Sequence, residues 1–439
     1  MRAGRILIAL LFGIGIAGVA LNGSALYSRF LYLSVLLVLL AWIWSWWVKR
    51  SLTLERASRE LRANVGDVFE ESYKLFNKSI IPIPWIEIFN QSGIPQAGGS
   101  RLLTLVMGRQ RRSYTARSWL TQRGSFQLGP TKLTVGDPFG LFATSKVLDS
   151  HESLVVFPMI QDIQSFPSPP GILPGGQVIQ KRSQEVTPHA AGVREYVHGD
   201  EMKRIHWPTS ARRNRLMVKE FEQDPQSEIW LFLDCQKNVH AQRRHQQDEM
   251  PLQSVLLLKR PKIKLPPSTL EYSVSIAASL AHYFIGQRRA VGYASAGQRF
   301  IVLPAERSQR LEEKILETLA FVEANGTLSI AALVAAQASQ LPQRSSVVLI
   351  TSTVRPDLLQ AVDDLLLRHL YPVVILLDAH TFGGPTGTES LIRSLHERRI
   401  PVNVVACDDD LSQVLSSIPS QFKKQGYQAW QAPVSLHST

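Results

Sequence analysis

Acidic and hydroxyl side chains follow several apolar runs in the second half of the sequence. Asp234 lies at the end of the run at 229–235, and Thr351 ends the run at 346–351. Two more acids occupy similar positions, Asp378 and Asp408. Ligands of parallel sheets bind at the carboxyl ends of the strands. These side chains are therefore the first candidates for a metal-dependent enzyme, with Asp234 at its centre.

Other catalytic patterns are weaker. Three histidines lie near Glu195 and Asp200, but separations of nine and eight residues match no zinc pattern. These histidines are His189, His198 and His206. The glycine-rich segment 383–387 lacks the lysine of a phosphate loop, and there is no nucleophile elbow. We therefore expect no catalytic residues and no cofactor, and a function in binding.

The residues at strand ends need a parallel sheet to bring them together. Continuous apolar runs, typical of strands buried on both faces, alternate with helical spacing from residue 229 onward. Strands are predicted at 229–235, 290–294, 346–351, 372–378 and 402–406. Helices are predicted at 270–287, 308–324, 329–341, 357–369 and 389–399. This order predicts an α/β domain with a doubly wound sheet over residues 229–439.

The two cysteines suit a reducing compartment. Cys235 and Cys407 are too few for a secreted disulfide framework. They follow the first and last predicted strands, which other strands would separate. We therefore expect no redox pair.

The apolar excess of the chain lies at its beginning. Two charge-free segments, 6–21 and 30–48, are near the length of a bilayer-spanning helix. The loop 22–29 only turns the chain around, which predicts an antiparallel hairpin spanning the membrane twice. The small residues Ala9, Gly13 and Ala17 recur every fourth position, a spacing that would let the helices approach closely.

Charge around the hairpin predicts its orientation. Arg2 and Arg5 precede the first span and Lys49 and Arg50 follow the second, against Arg29 alone in the loop. Positive residues flank membrane spans on the cytoplasmic side. We expect an inner-membrane protein whose later domains face the cytoplasm. The alternative is a cleaved signal peptide ending near Ala20, with the second span as a stop-transfer segment.

A basic segment interrupts the sheet pattern. The chain carries a formal net charge of +12, and residues 237–267 contain seven Lys or Arg and two acids. Such a segment could bind nucleic acid or anionic lipid. No aromatic platform accompanies the charge. We favour a solvated loop, with nucleic acid as an unlikely partner.

Residues 51–165 predict a small β-sandwich. Short apolar runs at 86–89, 101–107, 114–120 and 132–135 are separated by turn residues. The turns indicate strands connected as a meander. Residues 166–228 follow as a linker, rich in Pro and Gly at 166–176, that ends in a distinctive segment.

That segment, GVREYVHGDEMKRIHWPTSAR at 192–212, carries the most specific pattern in the chain. Together with DPFGLF at 137–142 it resembles the membrane-anchored bacterial and archaeal family known as domain-of-unknown-function family 58. The matching positions are Arg194, Glu195, Tyr196, Gly199, Asp200, Arg204, Ile205, Trp207, Ser210, Ala211 and Arg212.

The resemblance implies a fold and a partner. Such proteins have a von Willebrand factor A-like domain after two spans and a β-rich module. They are similar to partners of MoxR-type AAA+ ATPases that help to assemble other complexes. Members with a metal site have D-x-S-x-S after the first strand. Here Gln236 and Asn238 replace both serines beside Lys237, so Asp234 and Thr351 belong to a degenerate site, and we expect no metal.

The signature residues have two interpretations. We favour a structural one, in which Arg194, Asp200, Arg204 and Arg212 make charge-assisted hydrogen bonds while Tyr196 and Trp207 supply buried area. Gly199 marks a tight turn, and residues 216–222 form a strand. In the alternative interpretation, Arg204 and Arg212 anchor a partner protein at a docking surface.

Overall fold

The computed structural model describes residues 2–22, 25–95, 101–149, 152–166, 190–196, 205–221, 228–243 and 264–416. The chain divides into two compact units. The first comprises the residues up to Ile160 together with Gln246–Pro266 and Glu313–Val322, and the second comprises the other residues from Gln161 onward. Each unit has its own clusters of buried apolar side chains.

The first unit begins with two apolar helices, α1 (Arg2–Asn22) and α2 (Ala25–Ser51). Both helices are long and apolar enough to cross a membrane, since about 20 helical residues rise the 30 Å of a hydrocarbon core. The predicted spans 6–21 and 30–48 lie inside them. Lys49 and Arg50 occupy the last turn of α2.

The contact between the two helices does not involve the predicted stripe of small residues. Ala9, Gly13 and Ala17 are exposed, so the prediction that this stripe forms the contact is wrong. Gly15 is buried instead, and a Cβ there would lie 3.2 Å from Cβ of Leu31. The face of α1 that packs against α2 is therefore rotated around the helix axis from the face that holds Ala9, Gly13 and Ala17.

In the described part of the region that follows, ten strands form three sheets. The strands are β1 (Leu52–Ser58), β2 (Arg62–Asn64), β3 (Val68–Asn77), β4 (Ile83–Asn90), β5 (Arg101–Val106), β6 (Arg111–Trp119), β7 (Gly124–Gln127), β8 (Thr131–Gly136), β9 (Ala143–Leu148) and β10 (Ser153–Phe157). The sheet orders are β1-β3-β6, β2-β10-β7 and β5-β4-β8-β9. Most spatial neighbours are not sequence neighbours, so the predicted meander is wrong outside the hairpins β4–β5 and β8–β9.

Strand β3 shows how the sequence builds this unit. Its buried residues alternate with more accessible ones, as the period of two requires. Phe69, Tyr73 and Leu75 enter the core. Buried Glu71 on the same face is paired with Arg56 and accepts a hydrogen bond from the Tyr73 hydroxyl at 3.2 Å. The one acid on the buried face is thereby neutralised.

The second unit begins with the signature segment. Its described residues form the antiparallel hairpin of β11 (Ala190–Glu195) and β12 (Met217–Phe221), with helix α3 (Trp207–Arg213) between the strands. The predicted strand at 216–222 is present with shorter bounds. Residues 167–189, 197–204 and 222–227 lie outside the described residues, so most of the predicted linker is untested.

A six-stranded sheet with helical connections follows, and its elements belong to the second unit except for the stretch Glu313–Val322, which belongs to the first. In chain order the elements are β13 (Ile229–Leu233), α4 (Thr269–Gly286), β14 (Val291–Ala296), β15 (Phe300–Glu306), α5 (Gln309–Phe321), α6 (Ile330–Gln337), β16 (Ser346–Thr351), α7 (Asp357–Leu367), β17 (Tyr371–Leu377), α8 (Thr388–Glu397), β18 (Val402–Val405) and α9 (Leu411–Ser416). The strand order is β15-β14-β13-β16-β17-β18. The five predicted strands are present and parallel, which confirms the mixed α/β class.

One strand of this sheet was not predicted. β15 pairs antiparallel with β14 after a short turn, so it forms an edge of the sheet. The apolar run FIVL at 300–303 follows Gly297, which is a hairpin signal. The central strands are apolar along their whole length: all five residues of β13 are buried. Because the five predicted strands are parallel, their carboxyl ends, and the polar residues after them, lie at one edge.

Candidate functional site

Two regions bring the candidate residues together: the carboxyl edge of the six-stranded sheet and the signature hairpin. At the sheet edge, Asp234 follows β13 and is 2% exposed. Its Oδ2 accepts a hydrogen bond from the Thr351 hydroxyl at 2.6 Å, and its Oδ1 accepts one from the Gln236 backbone at 3.0 Å. The structure thus joins Asp234 and Thr351, as predicted from their positions at strand ends.

Burial dominates the electrostatics of this carboxyl group. It raises the pKa of Asp234 from 3.8 to about 6, and the negative charge of Asp357 acts in the same direction. The hydrogen bonds from Thr351 and Gln236, together with the positive charge of Arg355, oppose this rise. Asp234 therefore titrates close to neutral pH.

His240 belongs to the same cluster, although no sequence motif marks it. Its Nε2 lies 3.0 Å from the Asp234 carbonyl oxygen, so Nε2 carries the proton. Its Nδ1 lies 3.0 Å from the Thr269 hydroxyl oxygen. Burial lowers the pKa of His240 to about 4, which keeps the ring neutral at pH 7. The sequence signal is only a histidine six positions after Asp234, too weak to recognise alone.

The other predicted ligands do not complete a cation cage. Asn238 is exposed, and Gln236 reaches Asp234 through its backbone. Asp378 accepts a hydrogen bond from Thr388 at 2.8 Å, at the start of α8. Within the described ranges, no three His, Cys, Asp or Glu side chains are grouped so that they could hold a metal ion. Both carboxylate oxygens of Asp234 already accept hydrogen bonds, one from the Thr351 hydroxyl and the other from the Gln236 backbone N–H.

The basic segment 237–267 leaves and re-enters the sheet unit at one place. The Arg243 backbone N–H donates to the Pro267 carbonyl at 2.9 Å, and Gln242 bridges Ser268. Residues 244–263 lie outside the described residues, so the solvated-loop prediction stays untested.

The signature hairpin fixes helix α3 through Ser210. The buried Ser210 hydroxyl donates to the His206 carbonyl at 3.0 Å and accepts from the Met217 backbone N–H at 2.8 Å. Ile205 is also buried and bridges Val218 on β12. The helix is therefore attached to the strand at both its beginning and its middle.

Trp207 does not supply the buried area predicted for it. The side chain is 64% exposed at the start of α3, so that prediction is wrong. The reason is geometric: Ser210 and Ile205 occupy the face of the segment toward β12, and Trp207 lies outside that face. Tyr196 is half-buried, and its backbone N–H donates to the Leu216 carbonyl at 2.8 Å.

Helix α3 carries two cations in its last turn. Arg212 and Arg213 are exposed in the last turn of α3, which contains no acid in its first turn. Arg215 pairs with Glu195 at 3.4 Å, but both side chains are more than 60% exposed, so the pair contributes little stability. Arg194 lies in β11. Gly199, Asp200 and Arg204 lie outside the described residues, and their predicted roles stay untested.

The fold and the site define a class: a chain with two apolar N-terminal helices, a β-rich region and an α/β sheet preceded by the signature hairpin. The profile of the family described as "Protein of unknown function DUF58" matches residues 192–255. The resemblance predicted from the signature residues is confirmed.

Similar proteins were found by sequence and by structure. "Uncharacterized protein YeaD" of Bacillus subtilis (strain 168) is 23% identical over 329 residues, 72% of this chain and 74% of that protein. The CARDB domain of the PF1109 protein from Pyrococcus furiosus matches 24% of this chain and 91% of its own, with 17% identity and a TM-score of 0.18. The cupredoxin domain of amoB from Nitrosocaldus yellowstonii matches 32% of this chain and 97% of its own, with 11% identity and a TM-score of 0.18.

Proposed function

We propose that this chain is a non-enzymatic, membrane-anchored binding protein whose signature hairpin docks a partner protein. The observation that carries the proposal is the exposure of Trp207 on a helix that Ser210 holds in place. Tryptophan and arginine are the residues most enriched at the energetic centres of protein interfaces. A large apolar side chain presented on a fixed helix binds at a low entropic cost.

The partner has an acidic surface with an apolar recess. Arg212 and Arg213 are exposed on the same short helix as the tryptophan, so an acidic partner is attracted and a basic one is repelled. By the resemblance to family 58, the partner is a MoxR-type AAA+ ATPase, and the complex helps to assemble other proteins. On this proposal the Asp234 cluster maintains the sheet edge.

The fold proposed for the α/β unit is a doubly wound, von Willebrand factor A-like sheet. It is supported by the strand order, in which the first strand is central and the chain moves outward first to one side and then to the other. Parallel strands with helical connections give that order by right-handed crossovers.

The hairpin α1–α2 is proposed to hold the β-rich region and the α/β sheet on the cytoplasmic side of the inner membrane. Basic residues at the start of α1 and the end of α2 support this orientation, since Arg5, Lys49 and Arg50 lie at the same ends of the two helices. Arg29 is the single charged residue near the other end.

The test is co-purification of the full chain from native membranes in detergent. We expect a MoxR-type ATPase to be recovered, and Trp207→Ala and Arg212→Glu to lose it. Phe300→Ala is the matched control, because Phe300 is another aromatic residue of the second unit and is 46% exposed on β15. Equal recovery with Trp207→Ala, in a variant with unchanged circular dichroism, would exclude docking through this helix.

A further inference from the structure

Three turns lie together at one end of the β-rich region, beside the membrane helices. Turn 78–82 joins β3 to β4, turn 107–110 joins β5 to β6, and turn 137–142 joins β8 to β9. The registers Leu52↔Asn77 and Ile83↔Val106 place the first two turns at the end where β1 begins, directly after α2. The register Ile86↔Val135 brings the third turn to that end.

Hydrogen bonds connect two of these turns, 78–82 and 137–142, to the ends of the two helices. The Lys78 backbone N–H donates to the carbonyl of Ser51, the last residue of α2, at 3.0 Å. Arg5, in the first turns of α1, donates from Nε to the Leu141 carbonyl at 2.8 Å. The three turns therefore lie at the level where the hairpin enters and leaves the membrane.

The first two turns are held rigidly by Asn77, which is fully buried. Its Nδ2 donates to the carbonyls of Ile81 and Met107 at 2.9 and 3.1 Å, and its Oδ1 accepts from the Ser79 hydroxyl at 2.7 Å. Satisfying a buried amide in this way fixes both turns in one conformation. The exposed side chains at their tips are consequently presented by fixed backbone.

Asp137 holds the third turn in the same manner. The carboxylate is 2% exposed and accepts hydrogen bonds from the backbone N–H groups of Phe139, at 2.7 Å, and Phe142. Gly140 has a φ of 69°, a conformation that favours glycine. The DPFGLF motif is thus a self-contained turn that places Phe139 at its outer side.

The tips of the turns are apolar. Ile80 is 75% exposed, Met107 is 51% exposed and Phe139 is 44% exposed. Large apolar side chains exposed on neighbouring turns mark an interaction surface.

Cations surround these tips. The exposed cations of the turns and the adjoining start of β6 are Lys78, Arg109, Arg111 and Arg112. The acid in these segments is the buried Asp137, whose oxygens its own loop already uses. The surface is therefore apolar with a positive rim.

We propose that this end of the β-rich region rests on the lipid bilayer, with Ile80, Met107 and Phe139 entering the interfacial layer and the cations contacting anionic headgroups. The inference rests on the membrane anchoring proposed above. Basic residues near a membrane are attracted to anionic lipid, and apolar side chains insert at the headgroup boundary. A second copy of the same surface would present the same positive charge, so charge complementarity favours lipid.

The experiment measures the depth of single labels in the full chain. An environment-sensitive fluorophore is attached to Ile80→Cys or Met107→Cys in a Cys407→Ser background, because Cys235 is only 1% exposed and unreactive. Leu61→Cys is the matched control: Leu61 is an apolar residue, 41% exposed, three residues beyond the far end of β1. The seven residues of β1 separate the two ends by about 20 Å.

The chain is placed in nanodiscs of phosphatidylglycerol and phosphatidylcholine that contain a spin-labelled lipid quencher. We expect a loss of fluorescence at positions 80 and 107 and none at position 61. Lys78→Glu with Arg109→Glu is expected to reduce the quenching at position 80, and so is replacing the anionic lipid by phosphatidylcholine. Quenching at 80 and 107 no greater than at 61 would overturn the proposal, and equal quenching in both lipids would overturn its electrostatic part.

A label at Leu36, in the middle of α2, separates this outcome from failure of the anchoring itself. Leu36 is 53% exposed on the helix. Quenching at position 36 without quenching at 80 and 107 means that the chain is anchored but its β-rich region is not docked. No quenching at position 36 contradicts the anchoring on which the inference rests.

Discussion

Thr351 and Asp234 are connected by a 2.6 Å hydrogen bond between the carboxyl ends of two neighbouring parallel strands. Both residues are almost fully buried. The Gln236 backbone N–H donates to the other carboxylate oxygen, so each oxygen of Asp234 has a donor. The carboxyl group thereby links the end of β16 to the loop that follows β13.

Replacing Asp234 by Asn tests whether this link titrates. Burial raises the pKa of Asp234 from 3.8 to about 6, so the folded chain binds the proton more tightly than the unfolded chain. Asp234 contributes about 3 kcal/mol to the free energy of unfolding below pH 3.8, and this contribution is lost as pH rises through about 6. Asp234→Asn is expected to remove this dependence, measured as the denaturant midpoint against pH for the full chain in micelles.

Thr351→Val provides the contrast for that measurement. The hydrogen bond from Thr351 lowers the pKa of Asp234, so its removal shifts the transition to higher pH. We therefore expect the loss of stability at the lowest pH in the natural chain and at a higher pH in Thr351→Val. Asp234→Asn is expected to show no such loss. An unchanged pH profile in Asp234→Asn would mean that Asp234 does not titrate in the folded chain.

His240 contributes a pH dependence of the opposite sign. Its pKa is lowered from 6.5 to about 4, so the unfolded chain binds the proton more tightly. The contribution of neutral His240 to the free energy of unfolding is at most about 3 kcal/mol. It is fully present above pH 6.5 and is lost as pH falls through about 4. In the Asp234→Asn background, His240→Gln is expected to abolish the remaining acid destabilisation. A midpoint that still falls with acid in the double variant would assign that destabilisation to other groups.

Ser210 is expected to determine whether α3 stays on its strand. Ser210→Ala leaves the Met217 backbone N–H without its acceptor, and an unsatisfied buried donor costs about 1–3 kcal/mol. We expect faster amide hydrogen exchange at Met217 in this variant. Ser72→Ala is the control, because the Ser72 hydroxyl bond to Ala57 is exposed. Equal exchange at Met217 in the two variants would show that Ser210 does not hold the helix.

The strongest sequence signals gave the elements of the α/β sheet. Short runs rich in β-branched apolar residues, such as 346–351, are typical of strands buried on both faces, and β16 has these same bounds. β15 was missed because its residues are only partly covered, so its alternation is weaker than the signal of a central strand. Edge strands depend on pairing that the local sequence does not specify.

Side-chain environments were harder to predict than elements. Trp207 was expected to be buried because of its size, yet Ser210 faces the strand. His240 contacts the Asp234 carbonyl through Nε2, and its other ring nitrogen contacts Thr269, a residue 29 positions away. Contacts of this kind depend on how an intervening segment returns to the sheet, which no local pattern reports.

Gly18 offers a test of the packing between α1 and α2. It does not belong to the small-residue spacing of Ala9, Gly13 and Ala17. A Cβ at Gly18 would overlap the ring of Tyr27, whereas one at Gly13 meets nothing within 4 Å. Because interfaces in membranes depend on close packing, Gly18→Ala is expected to destabilise the hairpin by about 1–3 kcal/mol. Gly13→Ala should leave it unchanged, and Tyr27→Ala should rescue Gly18→Ala. The measurement is unfolding in mixed micelles, and equal effects at the two glycines would contradict the packing described.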